Sequence, residues 1–269
     1  MFLSVDVGNT QTTLGLFDDE GSVKRQWRMA TDRTDTSDQL HETLYGYFQM
    51  LGFELSSVDY VAIASVVPIL AQSWQRMVRT AFDLEPLMID ATRDCGIRIN
   101  MPDPKQVGAD RIANALAALT TYGAPVIVVD FGTATNIDVV DHTGAFRGGA
   151  IMPGLLLSAN SLFSRAAKLS SVPLVVPPHA LGDSTETAVQ SGIVIGAATQ
   201  IEGLVERIQK ELAAEGDGIP RATVIGTGGY SETIAQATDI FDAIDPDITI
   251  RGIYQIYRHA VEKHEARNK

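Results

Sequence analysis

Asp6-Val7-Gly8-Asn9-Thr10 closes an apolar run that begins at Met1, and its residue types suit the binding of phosphate. A glycine at a strand end allows a tight turn. Backbone N–H groups and the side chains of Asn9 and Thr10 then converge on one point, a phosphate cradle that uses no lysine. The same letters also make a plain hairpin turn. The motif returns as Asp130-Phe131-Gly132-Thr133-Ala134-Thr135, with Asp130 in the place of Asp6 and Gly132 in that of Gly8. Two such turns, one opening each half of the chain, are what a nucleotide gripped from both sides of a cleft requires. A third group, Gly108-Ala109-Asp110-Arg111, opens a helix and sets a carboxylate and a guanidinium beside the positive end of its dipole. One could take a proton while the other holds an anion. Equally, Asp110 could be a first-turn acid that steadies its helix, with Arg111 a solvated charge. The dipole favours the ionised form of Asp110 and so predicts a weak base. A loose phosphoryl-transfer transition state tolerates that, because the hydroxyl must chiefly be positioned and its proton is accepted late.

Two glycine clusters are less specific. Gly226-Thr227-Gly228-Gly229 follows the apolar run Ala222 to Ile225, where a close backbone approach could admit an adenine or a ribose; a turn needing positive φ would look the same. Gly148 to Gly154 carries three glycines and a proline around an apolar strand end, which packing alone explains. Other chemistries lack their signatures. No lysine follows a glycine, so there is no Gly-Lys-Ser/Thr loop, and neither a His-Arg-Asp run nor a Gly-x-Ser-x-Gly elbow occurs. The five histidines show no metal-ligand spacing, and Cys95 is the only cysteine.

The elements that must position these groups read as a duplication. Met1–Val7, Thr12–Phe17 and Val23–Ala30 alternate as strands. Thr36-Ser37-Asp38 caps a helix with Leu40, Leu44, Phe48 and Leu51 at helical spacing. Tyr60–Ala64 and Leu87–Ile89 read as strands, Leu70–Ala81 and Gly108–Thr121 as helices. The pattern restarts at Val126–Asp130 and Asn136–Val140, a hairpin turning at Asp141 to Gly144. This predicts two similar α/β lobes, 1–120 and 121–269, with the cleft between them as the default ligand site. Thr187 to Glu211 predicts a helix whose stripe of Val189, Ile193, Ala197, Ile201, Leu204 and Ile208 suits either a core face or a dimer seam.

With 269 residues, 45% of them hydrophobic and 20% charged, the chain can bury a full core. Its net charge of -12 argues against a general nucleic-acid or anionic-membrane surface. Apolar runs such as Val61–Ala71 fall short of the roughly 18 residues of a membrane span, and Asp6 interrupts the first one. The expected location is the cytoplasm.

The ordered set Asp6 to Thr10, Ser65-Val66-Val67-Pro68, Gly108 to Arg111, Asp130 to Thr135, Gly148 to Gly154 and Gly226 to Gly229 resembles the type III pantothenate kinases. These are members of the acetate and sugar kinase, Hsc70 and actin superfamily, and the similarity runs from about Phe2 to the final helix near Arg258. The resemblance implies a duplicated, ribonuclease H-like α/β fold of the actin-like ATPase type, two-lobed with a central cleft. It implies transfer of the ATP γ-phosphoryl group to the 4'-hydroxyl of pantothenate, the first step of coenzyme A synthesis, with Asp110 as proton acceptor. Arg111 and the backbone of Gly108 and Ala109 would hold the pantothenate carboxylate and amide end. Met101 stands near the substrate where several members carry tyrosine, and Thr185 falls where the family has a substrate-contacting threonine supplied across a homodimer interface. Asp6, Val7, Gly8, Asn9, Thr10, Gln11, Thr12, Thr13 and Thr133 would contact ATP. Potassium or ammonium would bind at Asp130, and magnesium would accompany the nucleotide. Asn136 occupies a position where a further threonine is common. Two other readings stay open: a kinase of another small hydroxylated substrate on the same fold, and a noncatalytic nucleotide-binding regulator.

Overall fold

The computed structural model describes residues 1–166 and 171–267, which form two compact units, Met1–Ala117 together with the segment from Ile248, and Ala118–Asp247. In the first unit β1 (Phe2–Val7), β2 (Gln11–Phe17) and β3 (Val23–Ala30) form an antiparallel meander. Next come α1 (Ser37–Met50), β4 (Tyr60–Ser65), α2 (Pro68–Phe82) and the short strands β5 (Leu87–Met88) and β6 (Arg98–Ile99). The sheet order is β3-β2-β1-β4-β5, with β1 parallel to β4. Thr36 caps α1 through a reciprocal box with Gln39, which satisfies two end groups of the backbone at once. Leu40, Leu44 and Phe48 bury as the spacing predicts; Leu51 does not, because the helix ends there and the chain turns away through Gly52 at φ +71°. Pro68 opens α2, where a missing N–H costs nothing. The boundary between the units falls inside α3 (Ala109–Tyr122).

The second unit repeats the plan. β7 (Val126–Phe131), β8 (Ala134–Val140) and β9 (Ala145–Pro153) form the meander, and the strands run β9-β8-β7-β10-β11 with β10 (Thr223–Gly228) parallel to β7. Around them lie α4 (Leu155–Arg165), α5 (Thr185–Gln190), α6 (Gly196–Ala213), α7 (Ser231–Ala235) and β11 (Ala243–Ile244). The five strands of this unit thus repeat the order and directions of the five in the first sheet. Between α5 and α6 one π turn, Ser191–Ile195, keeps the helix continuous but adds a residue to its period. The inward face therefore becomes Val189, Val194, Ala198, Ile201, Val205 and Leu212, and only Val189 and Ile201 of the expected stripe are fully buried. This helix, Thr185–Ala213, is also long and apolar enough to span a membrane by length and composition, although its inward residues belong to the core of the unit.

The closing helix α8 (Ile248–Arg267) corrects the expected split into two contiguous halves, because it belongs to the first unit. Ile248, Ile250, Ile253 and Ile256 are buried there, each contributing about 1.5–3 kcal/mol. Gly252 lets its backbone press on α3, since a Cβ would lie 2.0 Å from Ala113 O. Thr249 donates to the buried Asn114 at 2.7 Å, fixing α8 against the helix that carries Asp110.

Candidate active site

In the first unit three predicted motifs meet at the carboxyl ends of the parallel strands β1 and β4, the edge where α/β sheets bind ligands. At the β1–β2 turn, Gly8 N–H donates to Gln11 O at 3.1 Å, and a Cβ on Gly8 would stand 2.8 Å from that oxygen. Asn9, Thr10 and Gln11 form the exposed tip, with Asp6 and Thr13 half-buried opposite one another behind it. Val7 and Thr12 point elsewhere: Val7 is in the core, and the Thr12 hydroxyl shares a 2.9 Å hydrogen bond with Thr31. A ligand at the tip would meet only their backbone. Arg33, which none of the motifs includes, donates from Nη2 to Asn9 Oδ1 at 3.1 Å.

Beyond β4, Val66 N–H bonds to Val7 O at 3.1 Å, and the Ser65 hydroxyl both accepts from Val67 N–H and donates to Val67 O, each at 3.2 Å. The Ser65–Pro68 run is thereby folded against the end of β1. The space a side chain on Gly108 would fill is occupied by Asp110 Oδ1, 2.5 Å from an ideal Cβ, and by Val66 Cγ1 at 3.4 Å. Glycine at 108 is what leaves room for the Asp110 carboxylate. Arg111 N–H donates to Asp110 Oδ1 at 2.8 Å, and Gly108 O accepts the first bond of α3 from Ile112.

Burial pushes the Asp110 carboxyl above the ordinary carboxylate range, more than the Arg111 N–H and guanidinium pull it down. This corrects the weak base expected from the helix dipole. Loss of water around the carboxylate outweighs the N–H groups and the guanidinium that favour its charge. A carboxylate so placed is a stronger proton acceptor than an exposed aspartate. Arg111 and Met101 are half-buried in the same unit, and Met101 follows β6 directly before the short 3₁₀ turn Pro104–Gln106.

The second unit builds a different end on the same scaffold. Gly132 N–H donates to Ala134 O at 3.0 Å, leaving Thr133 exposed. Gly154, the N-cap of α4, comes so close that its Cβ would lie 2.4 Å from Thr133 O, and its N–H bonds to that oxygen at 3.1 Å. Gly228, at φ +87°, lies beside β7, where a Cβ would be 2.6 Å from Asp130 Oδ1; one on Gly132 would be 3.9 Å from the same atom. Two glycines therefore leave a cradle around the Asp130 carboxylate. Across the ladders Asn136 and Thr227 stand opposite Asp130, on its face of the sheet. No cluster of three or more His, Cys, Asp or Glu side chains able to hold a metal occurs among the described residues. A single carboxylate between two glycines offers the oxygen donor that a hard cation prefers. Thr185 is exposed at the start of α5, where Ser184 and Thr187 cap one another.

Two sheets that each begin with a meander and pair their first strand with a parallel neighbour define the actin-like ATPase class of α/β folds. Solved structures agree with that class. A protein described as a Baf family transcriptional activator from Campylobacter jejuni superposes with a TM-score of 0.62 at 17% identity, covering 97% of this chain and 99% of that one. An activator of 2-hydroxyisocaproyl-CoA dehydratase from Clostridium difficile, solved with bound ADPNP, gives 0.54 at 14% identity over 98% and 97%. The chain belongs to the type III pantothenate kinase family, whose profile matches residues 2–207. It is 43% identical over 257 residues to the type III pantothenate kinase of Roseiflexus sp. (strain RS-1), covering 96% of this chain and 98% of that one. It is 41% identical to the one from Thermomicrobium roseum, covering 96% of each.

Proposed function

We propose that the chain transfers the γ-phosphoryl group of ATP to the 4'-hydroxyl of pantothenate, the first step of coenzyme A synthesis, with Asp110 as the proton acceptor. One observation carries this reading: Asp110 is a half-buried carboxylate at a helix start, given room by Gly108 beside the Ser65–Pro68 turn. Its raised proton affinity suits it to receive the hydroxyl proton as the O–P bond forms. Arg111 presents a planar, permanently charged fork to the pantothenate carboxylate, and the backbone of Gly108 and Ala109 lies along the amide end. Met101 packs against the gem-dimethyl carbon with a flexible thioether.

ATP phosphates lie on the Asp6–Thr13 turn, through the backbone of Val7, Gly8 and Thr12 and the side chains of Asn9, Thr10, Gln11 and Thr13; Thr133 also contacts the nucleotide. Asp130 holds potassium or ammonium in the cradle left by Gly132 and Gly228. That ion, with the magnesium that accompanies ATP, offsets the repulsion between phosphates and aspartates in a chain of net charge -12. Thr185 serves the substrate of a second copy. The uncovered apolar side chains Leu156, Leu157 and Leu162 of α4, with Leu181 before α5, support a homodimer, and the enzyme works in the cytoplasm.

Mass-spectrometric detection of 4'-phosphopantothenate after incubation with ATP, magnesium and pantothenate tests the reading. The expected result is product from pantothenate and none from its 4'-deoxy analogue. ATP consumption with a sugar but not with pantothenate would replace the substrate, and bound ATP with no turnover of any hydroxyl would favour a regulator.

A further inference from the structure

A cation outside every sequence motif reaches the phosphate turn of the first unit. Arg33 lies in the loop between β3 and α1, and its Nη2 donates to Asn9 Oδ1 at 3.1 Å. The loop is fastened on both sides of the turn. Thr31 N–H donates to Thr10 O at 2.9 Å, and the hydroxyls of Thr31 and Thr12 share a 2.9 Å hydrogen bond. One residue further, the Asp32 carboxylate takes the N–H of Thr34 at 2.9 Å and its hydroxyl at 2.7 Å. The guanidinium is therefore delivered by a backbone with few degrees of freedom, so little ordering entropy is left to lose when it meets a ligand. Arg33 and Asn9 are both exposed, so the contact faces solvent at the tip where Asn9, Thr10 and Gln11 project.

The chemistry of the site needs such a charge. A polyphosphate on this turn meets the half-buried Asp6, and the turn supplies only neutral donors: backbone N–H groups, an amide and hydroxyls. A guanidinium offers five N–H donors in a rigid fork, and a single bond to Asn9 orients the fork without using it up. We propose that Arg33 is a phosphate-binding residue of the nucleotide site, steered by Asn9 so that its fork faces the polyphosphate of ATP. The proposal rests on the kinase reading and adds to it the cation that holds the transferring group. In the transfer the bond from the γ-phosphorus to its bridging oxygen breaks, the bond to the 4'-oxygen forms, the hydroxyl proton passes to Asp110, and ADP leaves. Arg33 stabilises charge on the phosphoryl oxygens and exchanges no proton.

The alternative is an arginine that only tethers Asn9, and three variants of the full chain separate the two: Arg33→Ala, Arg33→Lys and Arg33→Gln. Each is titrated with ATP and with adenosine, and its kcat and KM for ATP are measured with pantothenate. Loss of one charge-assisted phosphate contact predicts a fall in kcat/KM for ATP of about 30-fold or more in Arg33→Ala, with adenosine affinity within about twofold of wild type. Arg33→Lys should recover part of the loss, and Arg33→Gln, which keeps a donor for Asn9 but no charge, should recover none. Three results would overturn the proposal: ATP parameters of Arg33→Ala within about threefold of wild type, equal losses for ATP and adenosine, or full recovery by Arg33→Gln. If wild type binds ATP but leaves pantothenate untouched, the substrate assignment fails. The ratio of ATP to adenosine affinity in wild type and Arg33→Ala still decides the role of Arg33.

Discussion

The two turns that open the two units share a backbone plan and differ in what stands beside their aspartates. In the first, Asp6 has Ala64 opposite it on the parallel strand, and Ser65 lies opposite Val7, where the chain turns toward α2. In the second, Thr227 stands opposite Asp130 and Gly228 opposite Phe131, and the Asp130 carboxylate comes within 2.6 Å of where a Cβ on Gly228 would stand. The first turn also has a half-buried acid from α3 at its edge. Duplication thus supplies the same ladder twice, and the parallel neighbour ends in a serine at the first turn and in a glycine at the second, where the carboxylate approaches the backbone closely. On the proposed reading, the first turn takes phosphate beside a proton acceptor and the second takes a cation.

Asp110 is the sharpest of these differences, and replacing it has the largest expected effect. Asp110→Asn should lower kcat by about 10²–10⁴-fold while ATP binding stays within error of wild type. The same change should raise the thermal midpoint at neutral pH. Folding raises the pKa of this group, so its contribution to stability is present below the unfolded value and lost as pH rises through the folded one. By the same shift, the acidic limb of kcat against pH should lie above that of an exposed carboxylate, and a limb near the ordinary value of 3.8 would contradict the burial argument.

Gly228→Ser makes the second turn resemble the first, since Ser65 holds the equivalent register position. A Cβ there sits 2.6 Å from Asp130 Oδ1 and at positive φ. The expected outcome is a rise of about tenfold or more in the potassium concentration needed for half-maximal turnover, with a stability loss on the order of 1–3 kcal/mol. An unchanged potassium response would remove Asp130 from the cation site.

The hairpin tips give the smallest contrast. Asp141 is almost fully buried, and although burial opposes its charge, bonds from Thr143, Ala145 N–H and Arg147 bring its pKa down to about 2. Its stabilisation is present above the unfolded value of 3.8 and disappears as pH falls toward 2. Asp141→Asn should cost about 1–3 kcal/mol in urea unfolding at neutral pH and less at acid pH. Asp18, half-buried at the tip of the first hairpin, accepts from the Ser22 and Glu20 backbone N–H groups and pairs with Lys24, and Asp18→Asn should cost less than Asp141→Asn.

Most of this scaffold was legible in the letters, for stated reasons. Alternation marked the strands, and the recurrence of Asp-x-Gly marked the duplication. Four features were not. The isoleucines of α8 announce a buried helix face but not which sheet it covers, so its membership of the first unit needed the fold. The π turn at Ser191–Ile195 shifts the phase of a long helix by one residue, and no letter there signals it except a glycine at 192. Arg33 lies in a polar loop and becomes a neighbour of Asn9 only when β3 returns along β2; its one sequence signal is a basic residue just past a strand that pairs with the motif strand. The raised proton affinity of Asp110 comes from loss of water around it, and a sequence displays a helix start but not burial.

The measurement that tests the division of labour most directly is formation of 4'-phosphopantothenate by the wild-type protein with potassium and, in parallel, with sodium as the only monovalent cation. Product is expected in potassium, with a large fall in sodium. Equal rates in both salts would contradict a cation role for the Asp130 turn, and bound ATP without product in either would contradict the kinase assignment itself.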